Sequence, residues 1–547
     1  MLFLFYNFKN IPNNTTLLFC FKDNLFMHVL MIAAENDAIL GAKVGGVADV
    51  VRDLPKALPQ HDVTVDVMIP DYGHYATKFE SHQLARVNVE FAGQTETVTL
   101  FELFLPASAA KVRQFVLQHP LFSQGGSVYS HDEGNRPFAT DATKYALFNL
   151  AICQLLIESK FTRPDVLHLH DWHSATVAVL SEYAPQYKQL ASIHTVYTVH
   201  NIALQGIRPF ADDESSLRHW FPSLDFDQSR ICDPRYTHCY NPMRAGINLS
   251  NKVHVVSPTY AEEILHASDA ANGFFGGEGL EQDLAAAKKQ GRLVGILNGC
   301  EYADTVSKIR AKKPALKTFL APAQQQVKRW LAQSAQLKTV HYLANEQINN
   351  WNSQAPFSDF LVTSIGRLTD QKALLLRQPY QGKTVLSVLL DDLARVNGRM
   401  IILGSGDTQI EFEFMQLMAS HDNFLFLNGY GQALSDQMYL HGDLFLMPSS
   451  FEPCGISQML AMRDGQPCLV HAVGGLKDTV QHLENGFSFN GSSLQAQSDN
   501  LIAAFNDAIK LHASKPKTWA KIADNAKSTR FSWQESTKQY LELLYTH

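Results

Sequence analysis

The feature that most constrains the fold is a repeated alternation of short apolar runs with amphipathic segments. Each run is nearly continuous in apolar character, as expected of strands covered on both faces. The runs in the first half are HVLMIAAE (28–35), VTVDVMIP (63–70), DVLHLH (165–170), HTVYTVH (194–200) and KVHVVSP (252–258). Those in the second half are DFLVTSIGRL (359–368), RMIILGSGD (399–407), NFLFLNG (423–429), DLFLMPS (443–449) and PCLVHAVGG (467–475). Strands that alternate with helices form parallel sheets, so two such series predict an α/β chain with two Rossmann-like domains.

The chain of 547 residues is too long for a single hydrophobic core, and its composition divides it further. The stretch at about 302–358 is rich in Gln, Lys, Ala and Pro and has a weak strand signal. We therefore interpret 301–358 as a linker or variable segment with one or two helices. It separates an N-terminal domain, 27–300, from a C-terminal domain, 359–525.

The last segment, 526–547, predicts one more helix. Ser532 is followed three positions later by Glu535, which is the pattern of a capping box. The apolar residues that follow at helical spacing are Tyr540, Leu541, Leu543 and Leu544. An apolar helix face must be covered, and we expect this one to pack back on the N-terminal domain.

Residues 1–26 do not fit the pattern of a secretory signal. They are rich in Phe, Leu and Asn, but they lack a basic start, a single apolar stretch and a clear cleavage site. Met27 then opens MHVLMIAAEN, which contains the first predicted strand. We expect translation to begin at Met27 and residues 1–26 to be disordered, with a functional leader as the alternative.

Charge and cysteine content exclude several classes of protein. The formal net charge of -7 argues against nucleic acid or an anionic membrane as the main partner. The seven cysteines are scattered without a C-x-x-C pair, so neither a disulfide framework nor a zinc site is indicated. No run reaches the roughly 18–20 apolar residues that a membrane-spanning helix needs. These features predict a soluble protein of the reducing cytoplasm.

The segment GAKVGGVADVVRDLPKAL (41–58) indicates an anion site at the start of a helix. Its apolar residues fall on one helical face, which places Gly45 and Gly46 at the N-terminus. Paired glycines let a ligand approach backbone N–H groups that already favour an anion, and Lys43 adds a positive charge. The alternative is a tight turn with a solvated lysine.

Two further strands of the first half end in polar residues. PDVLHLHDWHSA (164–175) ends in Asp171, and its histidines raise the possibility of zinc. His168 and His170 lie within the strand, however, which favours a role in the core. HTVYTVHNIALQG (194–206) ends in His200 and Asn201. Because the ends of parallel strands share one crevice, we interpret Asp171, His200 and Asn201 as candidate ligand contacts rather than a metal site.

The second half contains cations and a carboxylate at its strand ends. In SIGRLTDQK (364–372), Arg367 and Lys372 suit a diphosphate, with a solvated helix start as the alternative. LGSGD (403–407) and HAVGGLKDTV (471–480) add glycine-rich turns. In SSFEPCGISQ (449–458), Glu452 could be a catalytic acid, Cys454 a nucleophile, or the stretch only a turn.

The motifs taken together resemble those of a known family. In chain order they are KVGGVADV, HDWHSA, YTVHNIALQG, VSPTYAEEI, GILNGCE, GRLTDQK, LGSGD, FEPCGISQ and VGGLKDTV, and they cover most of residues 28–490. The set resembles bacterial glycogen synthases and plant starch synthases. The resemblance implies the GT-B fold, in which two Rossmann-like domains face each other across a deep cleft. It also implies retaining transfer of glucose from ADP-glucose to the non-reducing end of an α-1,4-glucan such as glycogen, without a metal or other cofactor.

The resemblance assigns roles position by position. Lys43 is similar to the lysine that meets the donor phosphates from the N-terminal domain, Arg367 and Lys372 match the diphosphate clamp, and Glu452 matches the acidic residue at the glucose. Asp171 and His200 correspond to cleft residues near the sugar. The implied catalytic residues are Glu452, Arg367, Lys372 and His200. The implied substrate-binding residues are Lys43, Gly45, Gly46, Asp49, Asp171, Asn201, Gly455, Ile456 and Ser457.

The chain also departs from the family pattern. Val47 follows the paired glycines where the family usually has leucine, Glu301 replaces an aspartate, and Ala373 replaces the glycine of QKG. Residues 302–358 lack the family's tryptophan-proline pattern, so no role is carried over from them. We therefore expect a divergent member whose acceptor preference or rate could differ.

Two alternative functions follow from the same residues. One is another retaining GT-B glycosyltransferase that uses UDP-glucose. Sucrose-forming and lipid-glycosylating members commonly carry a second glutamate eight positions after the first, and here Leu460 occupies that position. The other is a non-catalytic glucan-binding relative, which should have lost the charged residues of the cleft. Lys43, Arg367, Lys372 and Glu452 are all present.

Overall fold

The computed structural model describes residues 27–106, 111–124, 126–130, 132, 134, 136–302, 314–333, 336–354 and 360–546. The expectations for residues 1–26 lie outside these ranges. Within them the chain forms one large sheet in each half, and each sheet has its own hydrophobic core. None of the helices described is both long and apolar enough to cross a membrane.

The N-terminal half contains the larger sheet and the helices that cover it. Its strands are β1 Met27–Ile32, β2 Val63–Pro70, β3 Ser81–Phe91, β4 Gln94–Leu103, β5 Val112–Gln118, β6 Val166–His170, β7 His194–Val199, β8 Arg208–Pro209, β9 Cys239–Tyr240, β10 Lys252–Val255 and β11 Leu293–Gly295. Its helices are α1 Gly46–Ala57, α2 Tyr75–Lys78, α3 Pro120–Ser123, α4 Ala139–Ile157, α5 Thr176–Tyr183, α6 Leu217–Trp220, α7 Gln228–Ile231, α8 Pro242–Leu249, α9 Pro258–Glu263 and α10 Glu281–Lys289. Short 3₁₀ turns occupy Leu58–His61, Pro185–Ser192 and Ala270–Asn272.

The sheet of this half has the order β11-β10-β7-β6-β1-β2-β5-β4-β3. The strands from β11 to β5 are parallel, as the apolar runs predict, whereas β4 pairs antiparallel with both β5 and β3. This antiparallel edge was not expected. Ala92 and Gly93 connect β3 to β4 with positive φ at both positions, which suits a two-residue hairpin turn.

The C-terminal half contains a smaller parallel sheet of order β16-β15-β12-β17-β18-β19. Its strands are β12 Leu361–Ile365, β15 Arg399–Gly404, β16 Phe424–Asn428, β17 Leu444–Met447, β18 Cys468–His471 and β19 Gly486–Phe489, while β13 Pro379–Tyr380 and β14 Lys383–Thr384 form a separate hairpin. Its helices are α13 Asp370–Arg377, α14 Val385–Arg395, α15 Thr408–Ser420, α16 Gln432–His441, α17 Ser457–Arg463, α18 Gly474–Thr479, α19 Leu494–Ser514 and α20 Pro516–Ser528. All ten predicted apolar runs contain a strand, and the predicted α/β fold class is confirmed.

The segment between the two sheets forms a helical pair, α11 Leu316–Gln333 and α12 Thr339–Ser353. Side chains from both helices, including Phe319 and Trp351, belong to the C-terminal hydrophobic core. The Trp351 indole N–H donates to the Asp422 carbonyl oxygen at 2.7 Å. The described part of the expected linker therefore packs as a layer of the C-terminal half.

The chain returns to the N-terminal half at its end through α21 Trp533–Gln539 and one turn of π-helix, Tyr540–Leu544. Ser532 caps α21 by accepting from the Glu535 amide at 3.4 Å. Trp533, Tyr540 and Leu544 are buried in the N-terminal core. Burial of each large apolar side chain is worth about 1.5–3 kcal/mol. Because the segment follows α20 of the C-terminal half and packs in the N-terminal core, it connects the two halves.

Candidate active site

The N-terminal half-site lies where three neighbouring parallel strands end. In the order β7-β6-β1, Asn201 and His200 follow β7, Asp171 follows β6, and Glu35 follows β1. Lys43 stands on the loop that leads from β1 to α1. The carboxyl ends of adjacent parallel strands form one crevice, and this sheet order brings together residues that are far apart in sequence.

Lys43 is held between two carboxylates. Its Nζ lies 2.6 Å from Asp49 Oδ1 and 3.1 Å from Asp37 Oδ2. Burial lowers the pKa of Lys43, but the two carboxylates outweigh it and raise the pKa above the ordinary value of 10.5. The lysine is therefore charged and positioned in advance, with about a third of its side chain exposed.

The backbone anion site at the start of α1 is occupied by a carboxylate of the chain itself. Glu35 Oε2 accepts from the Val44 amide at 2.7 Å and from the Gly45 amide at 2.5 Å. Glu35 Oε1 accepts from the Tyr129 hydroxyl at 2.6 Å. A Cβ on Gly46 would meet nothing within 4 Å, so the next residue of the turn is open to approach.

Asp171 adopts a backbone conformation that is uncommon for a residue other than glycine, with φ of 53°. Its Oδ1 accepts from the His200 amide at 2.8 Å, and its carboxylate also accepts from the Asn201 amide. Burial raises the pKa of Asp171 to about 7, in spite of these two donors. A strained and perturbed carboxyl group at a strand end is typical of a functional position.

His200 is buried and held at two points. Its backbone amide donates to Asp171, and its ring Nε2 lies 2.9 Å from His170 Nδ1. Burial lowers the pKa of both histidines well below 6.5, so both rings are neutral near pH 7. Asn201 accepts from the Ala203 amide at 3.0 Å and shapes the following turn.

In the C-terminal half-site, Lys372 of α13 forms an ion pair with Glu452, which lies on the loop after β17. The Ser449 hydroxyl donates to Glu452 Oε2 at 3.0 Å. The Glu452 side chain is 8% exposed and that of Lys372 is 24% exposed. Because β12 and β17 are adjacent, the cation that follows one strand meets the carboxylate that follows the other.

Arg367 lies at the same edge of the sheet as Lys372. It is exposed, and among the described residues it forms no salt bridge. Arg367 and Lys372 line a common cavity of about 20 Å³, which has room for about one water. The two loops are joined by Gln371, whose side-chain amide donates to the Phe451 carbonyl oxygen at 3.1 Å.

The turn after Glu452 leads into α17. Gly455 has φ of 75°, where a side chain would be strained, and a Cβ there would lie 2.5 Å from Gln458 Oε1. Ile456 and Ser457 are half-buried at the helix start. Burial raises the pKa of the Cys454 thiol to about 12, which leaves it protonated and unsuited to a nucleophilic role.

Direct contacts join the two halves beside this turn. The Ser257 hydroxyl donates to the Pro453 carbonyl oxygen at 2.5 Å, and Thr259 Oγ1 donates to Asp478 Oδ1 at 2.6 Å. Both oxygens of Glu263, at the end of α9, lie 3.0 Å from the Gly474 amide at the start of α18. The glycine-rich start of α18, like that of α1, is thus occupied by a carboxylate of the chain.

The two halves also approach each other at Tyr430, which lies on the loop after β16. Its side chain is exposed. Partial burial raises its pKa above the ordinary value of 10.0, although the positive charge of Lys43 on the opposite half acts to lower it. Among the described residues, no hydrogen bond or ion pair links Lys43, Asp171 or His200 to Arg367, Lys372 or Glu452. The two half-sites are therefore separate sets that a ligand could bridge.

Sequence reasoning missed three residues of this region: Glu35, Glu263 and Tyr430. The position of Glu35 at the end of the first predicted strand was a signal that could have found it. An open depression of about 570 Å³ lies elsewhere, lined by Arg136, Asp213 and their neighbours, and it contains none of the predicted site residues. In the described part of the chain, no group of three or more His, Cys, Asp or Glu side chains could hold a metal ion.

The fold, with two Rossmann-like domains and charged residues at the strand ends of each, is that of the GT-B glycosyltransferases, to which the similar solved structures belong. The fold is shared with sucrose-phosphate synthase from Thermosynechococcus elongatus, with a TM-score of 0.51, 16% identity and coverage of 94% of this chain and 98% of that one. Family models match on both halves: the starch synthase catalytic domain over residues 28–286 and glycosyl transferases group 1 over residues 349–528.

Comparison with individual proteins identifies the family. The chain is 30% identical to the glycogen synthase of Desulfitobacterium hafniense, over 94% of this chain and 98% of the relative. It is 31% identical to that of Streptococcus sanguinis, over 94% and 99%. The catalytic domain of starch synthase IV from Arabidopsis thaliana, solved with ADP and acarbose, has a TM-score of 0.69 and 29% identity and covers 95% of this chain and 98% of its own. The chain belongs to the starch and glycogen synthase family.

Proposed function

We propose that this chain transfers glucose from ADP-glucose to the non-reducing end of an α-1,4-glucan, with retention of configuration. The glycogen synthase names of its relatives support the reaction. The ADP and acarbose bound to the related starch synthase IV support an adenine nucleotide as donor and a glucan as acceptor. UDP-glucose is the alternative donor.

The ion pair between Lys372 and Glu452 is the observation that carries the proposal. Cleavage of the donor leaves negative charge on the diphosphate and positive charge on the anomeric carbon. A lysine suits the first and a carboxylate suits the second. Their contact, 80 residues apart in sequence, supports a site in which both charges develop within one donor molecule.

Three cations serve the leaving group in this proposal. Arg367 is exposed and would bind the diphosphate in a fork, while Lys372 would bind it as a point charge. Lys43 would approach from the N-terminal half, as its prior orientation by Asp49 favours. Such charges act most strongly where water is excluded, so closure of the two halves around the donor is part of the proposal.

The remaining predicted residues serve the sugar and the acceptor. We assign His200, Asp171 and Asn201 to the sugar side of the N-terminal half, and Gly455, Ile456 and Ser457 to its C-terminal side. Gly45, Gly46 and Asp49 complete the loop around Lys43. The acceptor hydroxyl would attack from the face that the diphosphate leaves, and the leaving phosphate would take its proton.

The proposal assigns a different substrate to each domain. Residues 27–300 would bind the glucan, and residues 359–525 would bind the nucleotide sugar. We place the activity in the cytoplasm, which the free thiols of all six described cysteines support.

Nucleotide release tests the proposal. Purified protein is incubated with glycogen and either ADP-glucose or UDP-glucose, and released ADP or UDP is measured together with incorporation of labelled glucose. We expect release with ADP-glucose that depends on glycogen. Faster release with UDP-glucose would overturn the donor assignment, and no release with either donor would overturn the enzymatic function in favour of glucan binding alone.

Retention and residue roles need separate measurements. Digestion of the labelled product by an enzyme specific for α-1,4 linkages should release all incorporated glucose. Glu452→Gln removes the charge and keeps the shape of the side chain, and Glu484→Gln, the same change at an exposed glutamate of the same half, is the matched control. Near-normal turnover of Glu452→Gln would contradict the role proposed for that carboxylate.

A further inference from the structure

His170 lies in the interior of the N-terminal sheet, directly behind His200. It is 1% exposed, its ring is stacked on that of His168 with centroids 4.2 Å apart, and its Nδ1 lies 2.9 Å from His200 Nε2. Its second ring nitrogen, Nε2, is fully buried and has no hydrogen-bond partner among the described residues. The proposed role of His200 does not account for this contact between two imidazoles.

A hydrogen bond between two neutral imidazoles has only two forms, because each ring carries one N–H and one bare nitrogen. In the first form, His170 Nδ1–H donates to His200 Nε2, and His170 Nε2 is the bare acceptor. In the second form, His200 Nε2–H donates to His170 Nδ1, and the proton of His170 is then on Nε2. The two forms therefore differ at the buried His170 Nε2, which is a bare nitrogen in the first form and an N–H group in the second.

The burial of His170 Nε2 without a hydrogen-bond partner favours the first form. A buried N–H without an acceptor is rarer in folded proteins than an acceptor that lacks a donor. The first form leaves only a bare nitrogen unpaired, whereas the second would bury an unpaired N–H. A doubly protonated His170 would also bury one, and burial together with the neighbouring His168 and His254 holds the pKa of His170 well below 6.5.

The tautomer of His200 follows from that of His170. If His200 Nε2 accepts, the proton of His200 is on Nδ1. This atom makes no hydrogen bond with a described residue, and it is not among the polar atoms sealed from solvent. His200 also has its backbone fixed by Asp171 at 2.8 Å, so the ring has little freedom to turn.

We propose that His170 is a positioning residue that fixes His200 in the Nδ1–H tautomer, so that His200 presents a hydrogen-bond donor to an oxygen of the bound sugar. The inference rests on the proposed function for the contact with sugar, but the tautomer itself is a property of the free protein. Substrate hydroxyls accept as well as donate, and a donor of fixed direction selects one orientation of the sugar.

The first test measures the tautomer directly. The protein is labelled with ¹⁵N-histidine, and long-range ¹⁵N–¹H correlations are recorded without substrate at pH 7.5. The His200 signals are assigned by their loss in His200→Gln. We expect a protonated Nδ1 and a bare Nε2 for His200. A protonated Nε2 on His200 would overturn the inference, whatever the activity of the protein.

The second test uses matched substitutions. His170→Asn retains a donor near the position of Nδ1, whereas an ionised aspartate in His170→Asp offers only acceptors there. His168→Leu is the control, since it deletes an equally buried imidazole from the same strand face without a bond to His200. We expect His200 to carry a proton on Nε2 in His170→Asp, while its Nε2 stays bare in His170→Asn and His168→Leu.

Kinetics provide a separate readout. We expect kcat of His170→Asp to fall on the order of ten- to a hundredfold, the range found for residues that orient a metal ligand, with partial rescue in His170→Asn. A bare His200 Nε2 in folded His170→Asp would overturn the positioning role. If the tautomer is as expected but no variant or parent protein transfers glucose, the proposed function fails and the tautomer assignment stands.

Discussion

Asp171→Asn should stabilise the protein at alkaline pH while it lowers activity. The asparagine retains an oxygen that can accept from the His200 amide, and it tolerates positive φ better than most residues. It removes a carboxyl group that is 6% exposed and whose pKa is raised by burial to about 7. The substitution therefore changes the charge with little change in shape.

The sign of the pH dependence follows from linkage. The pKa of Asp171 is higher in the folded chain than the ordinary value of 3.8, so the folded state binds this proton more tightly. No destabilisation by Asp171 is present below about pH 4. It grows as pH rises from 3.8 to about 7, and it is complete above that range.

The magnitude follows from the same two pKa values. A rise from 3.8 to about 7, at about 1.36 kcal/mol for each pH unit, corresponds to at most about 4 kcal/mol. Roughly 2–3 kcal/mol of this should develop between pH 5 and pH 8. For a domain of this size, that difference is worth on the order of 5 °C in Tm.

The assay is thermal unfolding of both proteins at pH 5 and pH 8. We expect the Tm of Asp171→Asn to exceed that of the parent by more at pH 8 than at pH 5. Asp213→Asn is the control: the Arg136 guanidinium and Ser215 overcome burial and hold the pKa of Asp213 below its usual range. Its effect on Tm should be destabilising and nearly constant from pH 5 to pH 8. An equal Tm difference for Asp171→Asn at both pH values would refute the reasoning.

Three further outcomes are expected. Glu452→Gln should lower kcat roughly 10²- to 10³-fold, the usual cost of one lost electrostatic contact. Lys372→Met should lower kcat and also weaken the binding of ADP, as measured by calorimetry. An unaltered ADP affinity in Lys372→Met would contradict a contact between Lys372 and the diphosphate. Gly474→Ala should lower activity by displacing the turn at Glu452, since its Cβ would lie 1.9 Å from the Glu452 carbonyl oxygen. Gly382→Ala is the control: its φ of 80° makes a side chain strained there too, but the space at its Cβ is open, so it should lower stability and retain activity. Trp533→Ala should destabilise the N-terminal half by about 3–5 kcal/mol in denaturant unfolding followed by the signals of that half; an unchanged transition would show that the last helix is not part of that core.

Much of the fold could be predicted from local pattern. Each predicted apolar run contains a strand, because burial on both faces leaves a local signature in the sequence. The antiparallel edge at β3 and β4 was missed, since these half-exposed strands alternate polar and apolar residues within a region read only for continuous runs. The helical pair at α11 and α12 was expected, but its inclusion in the C-terminal core depends on contacts remote in sequence.

The candidate site likewise has features that local sequence predicts and features that depend on contacts remote in sequence. The sequence placed polar residues at strand ends, and glycines with Lys43 at a helix start, because turn chemistry and strand length are local properties. It did not reveal that Glu35 fills that helix start or that Glu263 fills the start of α18.

By itself, the sequence determined the α/β class, the two-domain organisation, the family and the identity of the charged residues at the strand ends. Tertiary structure alone decided which side chains meet: the charged pair Lys372 and Glu452, and the neutral pair His170 and His200, of which His170 lies within its strand. The physical reason is that these pairs depend on the order and register of parallel strands. A difference of one strand position in either sheet would separate the partners without altering any local pattern.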